Sequence, residues 1–336
     1  MAERVARGPG RVNLIGEHTD YNGGLALPFA IDRGVTVTFE TGGEEIEAVA
    51  ADLGERDAFD PAQPGRAEGW RAFVRGTVAE LRAAGHVVEG GRLRIEGDLP
   101  HGSGLSSSAA LEAALCLALV EEPGERVALA RLCSRVENDH VGAETGLLDQ
   151  LAVLCSREGH ALRIDFATLD LAPVALELGD WRLVTLDSGA THEHAAGGYN
   201  ERRAECRAAC EALGVETLSE ARADGLGGLP PALRRRARHV LSENERVDAM
   251  TAALAAGDLE AAGRLLDASH ASLRDDYEAS VPEVEATVER LKAAGAAGAR
   301  MVGGGFGGSV LALLRPGARA PRGALAVAPG PPARRL

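Results

Sequence analysis

The chain has 336 residues, of which 45% are hydrophobic and 26% charged, a composition typical of a globular protein with two domains or one large one. Its formal net charge of −14 argues against a nucleic-acid partner and against binding to acidic membrane surfaces. Lys292 is the only lysine, so any anion site must use arginine, backbone N–H groups or a metal.

The cysteines and the apolar runs bear on the cellular compartment. Five cysteines are present, and none forms a C-x-x-C pair. The sequence contains no run of about 18 apolar residues and does not open with the charged-then-apolar order of a leader. We therefore expect a cytoplasmic protein with reduced thiols.

A short polar loop, residues 16–24, lies between two strand-like segments at residues 12–14 and 25–37. It contains an Asn-Gly turn signal and the side chains of Glu17, His18 and Asp20. Carboxylates and imidazole can hydrogen-bond the adjacent hydroxyls of a sugar. The same spacing suits a solvated hairpin, and the pattern alone leaves both interpretations open.

A second loop, rich in glycine and serine, lies at residues 102–108 and is called the serine loop below. Alternating apolar residues at 93–99 predict a strand before it, and the i, i+4, i+7, i+8 spacing from Leu111 predicts a helix after it. Free N–H groups at a helix N-terminus favour phosphate binding, although a capped helix after an ordinary loop gives the same pattern. Arg11 could stabilise transferred charge beside such a loop.

Two carboxylates stand out in the middle of the chain. Residues 72–83 and 125–139 predict helices, and Glu137 lies near the end of the second. Asp149 lies inside an apolar run, where a carboxylate needs a partner or must become neutral. Either a structural arginine pairs with it, or it acts as a general base beside a cation.

The second half predicts strands at residues 160–166, 181–186 and 310–314 and several helices. These helices cover residues 199–213, 231–256, 258–273 and 282–293. His192 and His194 form an H-x-H pair, for which a loop or helix cap is favoured over a metal site. Residues 303–308 match G-x-G-x-x-G but lead into a strand pattern with no acidic residue after them, which excludes a dinucleotide fingerprint.

Three separated motifs resemble those of the galactokinase family of GHMP small-molecule kinases. They are GRVNLIGEHTDYNGG at residues 10–24, GSGLSSSAA at residues 102–110 and GGGFGG at residues 303–308. Further matches are GLLDQ at residues 146–150 and SLRDDYE at residues 272–278. The first motif is the most specific, and the second is shared across the superfamily.

The resemblance implies an α+β fold of two domains with the active site between them. Residues 1–180 would form an N-terminal sheet-and-helix domain like that of a ribosomal protein, and residues 181–336 a ferredoxin-like C-terminal domain.

The resemblance also implies a role for each matching residue. The sugar contacts would be Glu17, His18, Asp20, Gly146, Asp149 and Tyr199. The ATP phosphates would lie against Gly102, Ser103, Gly104, Leu105, Ser106, Ser107 and Ser108. Ser108 and Glu137 would bind Mg²⁺. Asp149 would be the base facing the C1 hydroxyl, kept ionised by Arg11, which would also lie beside the transferred phosphoryl group.

The implied activity is ATP-dependent phosphorylation of galactose at O1, with a sugar and ATP as partners. We expect a monomer, which the sequence itself does not establish. One alternative is a related kinase for a uronic acid or an aminosugar. Another is a regulator that binds galactose and ATP without catalysis. Such regulators lose residues of the serine loop, whereas residues 106–108, Glu137 and Asp149 are all present, so we favour the enzyme.

Overall fold

The computed structural model describes residues 2–100, 104–143, 145–190 and 195–336, with only the backbone of residues 195 and 196. The described ranges contain thirteen strands and eight α-helices. The strands are β1 (Glu3–Asn13), β2 (Leu25–Ala26), β3 (Pro28–Thr41), β4 (Ile46–Ala50), β5 (Glu55–Phe59), β6 (Gly91–Gly97), β7 (His160–Asp165), β8 (Leu171–Ala175), β9 (Arg182–Asp187), β10 (Ala296–Met301), β11 (Ser309–Leu314), β12 (Leu325–Val327) and β13 (Arg334–Arg335). The helices are α1 (Trp70–Ala83), α2 (Ser107–Leu119), α3 (Arg126–Arg135), α4 (Leu148–Cys155), α5 (Ala195–Leu213), α6 (Pro231–Ala256), α7 (Leu259–Asp275) and α8 (Pro282–Ala293).

These strands form three sheets in the described ranges. The largest has the order β13-β1-β3-β6-β4-β5, the second β10-β11-β9-β12 and the smallest β2-β7-β8. Neighbouring strands are antiparallel except β4 and β6, which run parallel. Helices pack on these largely antiparallel sheets, which is the α+β class that the sequence predicts.

Helix α2 lies at the centre of the first core. The sequence pattern predicts one apolar face, but every residue from 109 to 119 is buried. A helix that is apolar on all sides must be covered on all sides. Strands β1 and β3 cover one side, and α1, α3 and α4 pack around the rest. The start of α2, where the serine loop ends, is therefore held firmly against β1.

A second apolar cluster joins the beginning of the chain to its later half. Ile15 and Phe29, which flank the polar loop, share this core with Met250, Leu266 and Leu311 from α6, α7 and β11. Their side chains are almost completely removed from water. Burial of apolar side chains from the beginning and the later half of the chain therefore positions the polar loop.

Some elements differ from the sequence-based predictions. Strands β4, β5, β8 and β10 are not anticipated by periodicity. The helix predicted over residues 125–139 ends at Arg135 and continues as a π-helical turn, Val136–Val141, which carries Glu137. The Pro/Arg-rich tail docks through β13 beside β1. None of the helices in the described ranges is long and apolar enough to cross a membrane.

The contact between β1 and α2 predicts a strong effect of the Gly8→Ala substitution. A Cβ atom at Gly8 would lie 1.9 Å from the carbonyl oxygen of Ala110, which is helix backbone and cannot rotate away. Overpacking a core typically costs about 1–3 kcal/mol of unfolding free energy, and we expect at least that loss. Urea-induced unfolding measures it.

Gly97→Ala is the matched control in the same sheet. The nearest atom to a Cβ at Gly97 is 3.6 Å away, an ordinary van der Waals separation. We expect a change within about 0.5 kcal/mol for this variant. Equal stability of the two variants would contradict the close packing of β1 on α2.

Candidate active site

A cavity of about 390 Å³ lies where the two halves of the chain meet. One wall comes from the end of β1, the polar loop and residues 142–143, 145–146 and 148–149. The opposite wall comes from Tyr199 on α5 and from the glycine-rich loop at residues 303–308. Its size is that of a small-molecule site. Of the described serine-loop residues, only Gly104 lines it.

A bidentate ion pair joins Arg11 to Asp149 at this cavity. The Arg11 Nε and Nη2 atoms each donate a 2.6 Å hydrogen bond to Asp149, one to each carboxylate oxygen. Arg11 Nη1 donates to the Gly104 carbonyl at 2.6 Å. Burial alone lowers the pKa of Arg11, but the Asp149 carboxylate raises it above its usual value, so the guanidinium stays charged.

Local backbone geometry explains why this pair forms. Strand β1 has a bulge between Pro9 and Arg11, and the Arg11 N–H group bonds the Leu105 carbonyl at 3.0 Å. Asp149 lies in the first turn of α4. The bulge re-aims Arg11 out of the sheet and toward α4. The structure therefore brings together two residues that lie 138 positions apart.

The serine loop meets the same carboxylate. The Ser106 hydroxyl donates to Asp149 Oδ2, and Ser106 has a left-handed backbone with a φ of 57°. Leu105 is buried in the apolar core, which leaves only its backbone for a ligand. Ser107 is exposed and Ser108 half-buried at the start of α2. Gly102 and Ser103, expected to bind phosphate, lie outside the described residues, as do His192 and His194.

Glu137 is held in place by two hydrogen bonds. Its Oε2 atom accepts from the Thr145 hydroxyl at 2.7 Å and from Gln150 Nε2 at 2.9 Å. Its Oε1 atom accepts no hydrogen bond from the described residues. Behind it lies Glu112, which is fully buried, and burial together with the charge of Glu137 raises the pKa of Glu112 to about 11. Glu112 is therefore a neutral acid that sequence reasoning missed.

Glu17 is anchored by the C-terminal half. Its Oε1 atom accepts a 2.8 Å hydrogen bond from the Gly303 N–H group and lies 3.3 Å from the Arg300 guanidinium. Arg300 is fully buried and also donates to the carbonyls of Asn13 and Leu14. The glycine-rich loop at residues 303–308 thus binds the polar loop through a backbone N–H group. Strand β11 follows this loop.

Helix α6 holds the backbone of the polar loop. His239 Nε2 donates to the Glu17 carbonyl at 3.1 Å, and Glu243 Oε1 accepts from the Gly16 N–H group at 3.0 Å. Burial favours the neutral form of Glu243, but His239 and Arg246 lower its pKa to about 2. A buried carboxylate that remains ionised is a strong acceptor for a backbone N–H group. Neither His239 nor Glu243 was recognised from the sequence.

Asp20 and Gly146 meet inside the cavity. A Cβ atom at Gly146 would lie 1.7 Å from Asp20 Oδ2, so only glycine leaves room for this carboxylate. Burial raises the pKa of Asp20 to about 6, and the nearby Asp149 and Glu17 carboxylates add to the shift. Tyr199 packs against Gly304 at the wall of the cavity. A Cβ atom added at Gly304 would lie 2.9 Å from the Tyr199 ring.

His18 has a strained backbone and a neutral ring. Its φ is 61°, and the Asn22 side chain donates a 2.7 Å hydrogen bond to its carbonyl. Burial lowers the pKa of His18 to about 3. Strained residues of this kind concentrate at binding sites. The structure thus gathers Arg11, the three polar-loop side chains, Gly146, Asp149 and Tyr199 around one cavity.

Comparison with known proteins identifies the family of this chain. Residues 1–41 match the galactokinase galactose-binding signature, residues 72–157 the GHMP kinases N terminal domain and residues 250–329 the GHMP kinases C terminal domain. A galactokinase of Mycobacterium tuberculosis is 48% identical over 91% of this chain and 87% of its own length. A galactokinase of Streptomyces coelicolor is 41% identical over 93% of this chain and 84% of its own length.

Solved structures agree with the sequence comparison. The crystal structure of Lactococcus lactis galactokinase complexed with galactose superposes with a TM-score of 0.91 at 32% identity, covering 99% of this chain and 95% of that one. Methanococcus jannaschii mevalonate kinase shares the fold at a TM-score of 0.69 and 19% identity, covering 94% of this chain and 91% of that one. The chain therefore belongs to the galactokinase family, with the two-domain α+β fold of the GHMP kinases.

Proposed function

We propose that this protein transfers the γ-phosphoryl group of ATP to O1 of galactose. The observation that carries the proposal is the meeting of Asp149, paired with Arg11, and the polar-loop side chains in one cavity. The polar loop, which lies within the galactose-binding signature of the family, therefore faces a carboxylate that can accept a proton. The kinship with galactokinases supports both the activity and ATP as co-substrate.

The hydrogen bonds of Asp149 leave one position for a substrate. A carboxylate has about four lone-pair sites, and three of them accept bonds from Arg11 and Ser106. Oδ2 accepts two of these bonds and Oδ1 only one, so Oδ1 has room for a sugar hydroxyl. We assign Asp149 as the base that takes the O1 proton while O1 bonds the γ-phosphorus and the bond to ADP breaks.

Arg11 has two tasks in this assignment. Its planar guanidinium fixes both oxygens of Asp149, and it keeps a positive charge beside the transferred group. Phosphoryl transfer depends mainly on positioning and charge stabilisation, which a rigid, buried arginine supplies. The described N–H groups at the start of α2 favour bound phosphate, and we extend that role to Gly102 and Ser103.

Magnesium fits the oxygen donors of Ser108 and Glu137. Mg²⁺ prefers oxygen ligands and commonly uses one or two protein groups together with substrate phosphates. Glu137 Oε1 accepts no hydrogen bond from the described residues, while Oε2 is fixed by Thr145 and Gln150, so one oxygen is oriented and available. The bound ion would neutralise charge on the ATP phosphates.

We also propose that the domains divide near residue 180 and that a monomer suffices. Strands up to β8 belong to the six- and three-stranded sheets, whereas β9 to β12 form the four-stranded sheet. Strand β13 crosses back to the first sheet. One chain supplies all the groups invoked above, which supports an active monomer. A cytoplasmic location remains our expectation from the reduced cysteines.

An ADP-release assay with a panel of sugars tests the function. We expect galactose to be the best substrate and glucose to react poorly, because buried polar groups of a site built for one set of hydroxyls lose their partners with an epimer. The panel includes a uronic acid and an aminosugar. Equal kcat/KM for glucose and galactose, or galactose binding without ADP release, would contradict the proposal.

Gly146→Ala tests the placement of Asp20. The new methyl group occupies the position of the Asp20 carboxylate, which must turn away from the cavity. We expect KM for galactose to rise about tenfold or more, as for loss of a hydrogen bond to a charged group, with little change in Tm. The control is Gly227→Ala at an exposed position of a short 3-10 helix, where no atom lies within 4 Å of the new Cβ. Wild-type KM in Gly146→Ala would remove Asp20 from the sugar site.

Glu137→Gln tests the metal assignment. The amide removes the negative charge, so we expect weaker binding of Mn²⁺, used as a spectroscopic substitute, to the ADP complex, together with a lower kcat. Galactose affinity should stay nearly unchanged. Glu121→Gln, at an exposed position, is the control. Mn²⁺ affinity equal to that of the wild type, measured by electron paramagnetic resonance, would exclude Glu137 as a ligand.

A further inference from the structure

We propose that Tyr21, Tyr277 and Cys206 are positioning residues that keep His18 as a hydrogen-bond donor toward the sugar. With Asn22 they form a closed circuit of hydrogen bonds, called the His18 circuit below. The circuit places a lone pair on Nδ1 and the ring proton on Nε2. His18 then donates to a sugar oxygen, while the carboxylates of the polar loop accept from sugar hydroxyls. This inference rests on the proposed galactose site.

The circuit is continuous through five side chains. His18 Nδ1 lies 2.8 Å from the Tyr21 hydroxyl, which lies 2.8 Å from the Tyr277 hydroxyl. The Tyr277 hydroxyl lies 3.2 Å from Cys206 Sγ. Asn22 closes the circuit, because its Nδ2 atom donates to Cys206 Sγ at 3.7 Å and to the His18 carbonyl at 2.7 Å.

The Asn22 end of the circuit is compatible with this direction. The His18 carbonyl can only accept, so the amide nitrogen of Asn22 must face it, and the same nitrogen donates to Cys206 Sγ. The Cys206 thiol proton can then point to the Tyr277 oxygen, Tyr277 can donate to Tyr21, and Tyr21 can donate to His18 Nδ1.

The His18 end independently supports the same direction. Its Nε2 atom is buried without a hydrogen-bond partner among the described residues, and the imidazole lines the cavity. The Gly304 carbonyl lies beside the ring and favours a ring proton. The Tyr21 hydroxyl can donate to Nδ1, whereas a carbonyl can only accept, so we place the ring proton on Nε2. The His18 end therefore sets the direction of the circuit.

The circuit stays neutral over the working range of pH. Burial lowers the pKa of His18 to about 3, so the imidazole carries a single proton. Burial also raises the pKa of the Tyr21 and Tyr277 phenols well above their usual range. Ring contacts keep the members in place, since the His18 and Tyr277 rings stack with centroids 4.4 Å apart. No member of the circuit therefore gains or loses a proton in this range of pH.

A purely structural role is the rival account. There the tyrosines would only fill space around His18, and either tautomer would serve. Nitrogen-15 NMR of histidine-labelled protein without sugar distinguishes the two accounts, with the His18 signals assigned by loss in His18→Gln. We expect the proton on Nε2 and a hydrogen-bonded lone pair on Nδ1. A proton on Nδ1 would overturn the proposal, whatever the sugar assays give.

Tyr21→Phe tests the positioning role in binding. It retains the ring and removes the donor to Nδ1, so we expect the Nδ1 resonance to move and galactose Kd to rise about two- to tenfold, as for loss of one neutral hydrogen bond. Cys210→Ser, on the same helix as Cys206, is the control and should match the wild type. If Tyr21→Phe does not fold, Tyr277→Phe takes its place. It removes the group that orients the Tyr21 hydroxyl, so we expect the galactose Kd to rise in the same direction although Tyr21 remains.

Wild-type Kd in a folded Tyr21→Phe protein would overturn the proposal. Failure of the proposed function looks different, because the wild-type protein itself would then neither bind galactose nor release ADP with it. Calorimetric titration with galactose, performed on the wild type and each variant, separates the two cases.

Discussion

The site depends above all on the ion pair between Arg11 and Asp149. It connects β1 to α4, and through Gly104 and Ser106 it also fixes the beginning of α2. The Arg11 side chain is 9% exposed and that of Asp149 is 28% exposed. The guanidinium is therefore almost completely excluded from solvent, while the carboxylate is still accessible from the cavity. Removing one partner of a buried pair typically costs about 3–5 kcal/mol. The pair therefore holds the wall of the cavity and, in the function that we propose, supplies the base.

A second constraint comes from the other half of the molecule. Arg300 and Glu243 are fully buried and bind backbone groups of residues 13–16, so the polar loop is anchored by charges rather than by exposed side-chain contacts. Removing such buried charges from water is favourable only when their hydrogen bonds are made. The cavity that we propose for the sugar is lined by both halves of the chain, so its stability is linked to their docking.

Much of this site could be predicted from local sequence. A carboxylate inside the apolar run at residues 147–154 implied a partner, and the structure supplies Arg11 as that partner. Helices α6 and α8 were predicted with correct bounds because each begins with proline, which is a helix-start signal. Family motifs supplied the rest of the residue set, since spacing alone left the polar loop ambiguous.

Other features depend on contacts distant in sequence. Strand β5 has only two apolar residues, Ala58 and Phe59, so its periodicity is weak, and β4 is too short for its alternation to stand out. His239 and Glu243 lie one turn apart on the buried face of α6, a signal that could have been noticed, but their partner was not visible in the sequence. The Ser106 bond to Asp149 depends on a left-handed backbone that no composition rule predicts.

The central claim is that Asp149 acts as a base as well as an ion-pair partner. Its most direct test is the single-turnover rate of phosphoryl transfer to galactose in Asp149→Asn, with folding verified by Tm and circular dichroism. The substitution preserves shape, and general-base catalysis is typically worth about 10²–10⁴-fold, so we expect a rate loss of that size. A folded Asp149→Asn protein whose rate lies within about tenfold of the wild type would contradict the account, because the hydroxyl would then lose its proton late and without a base.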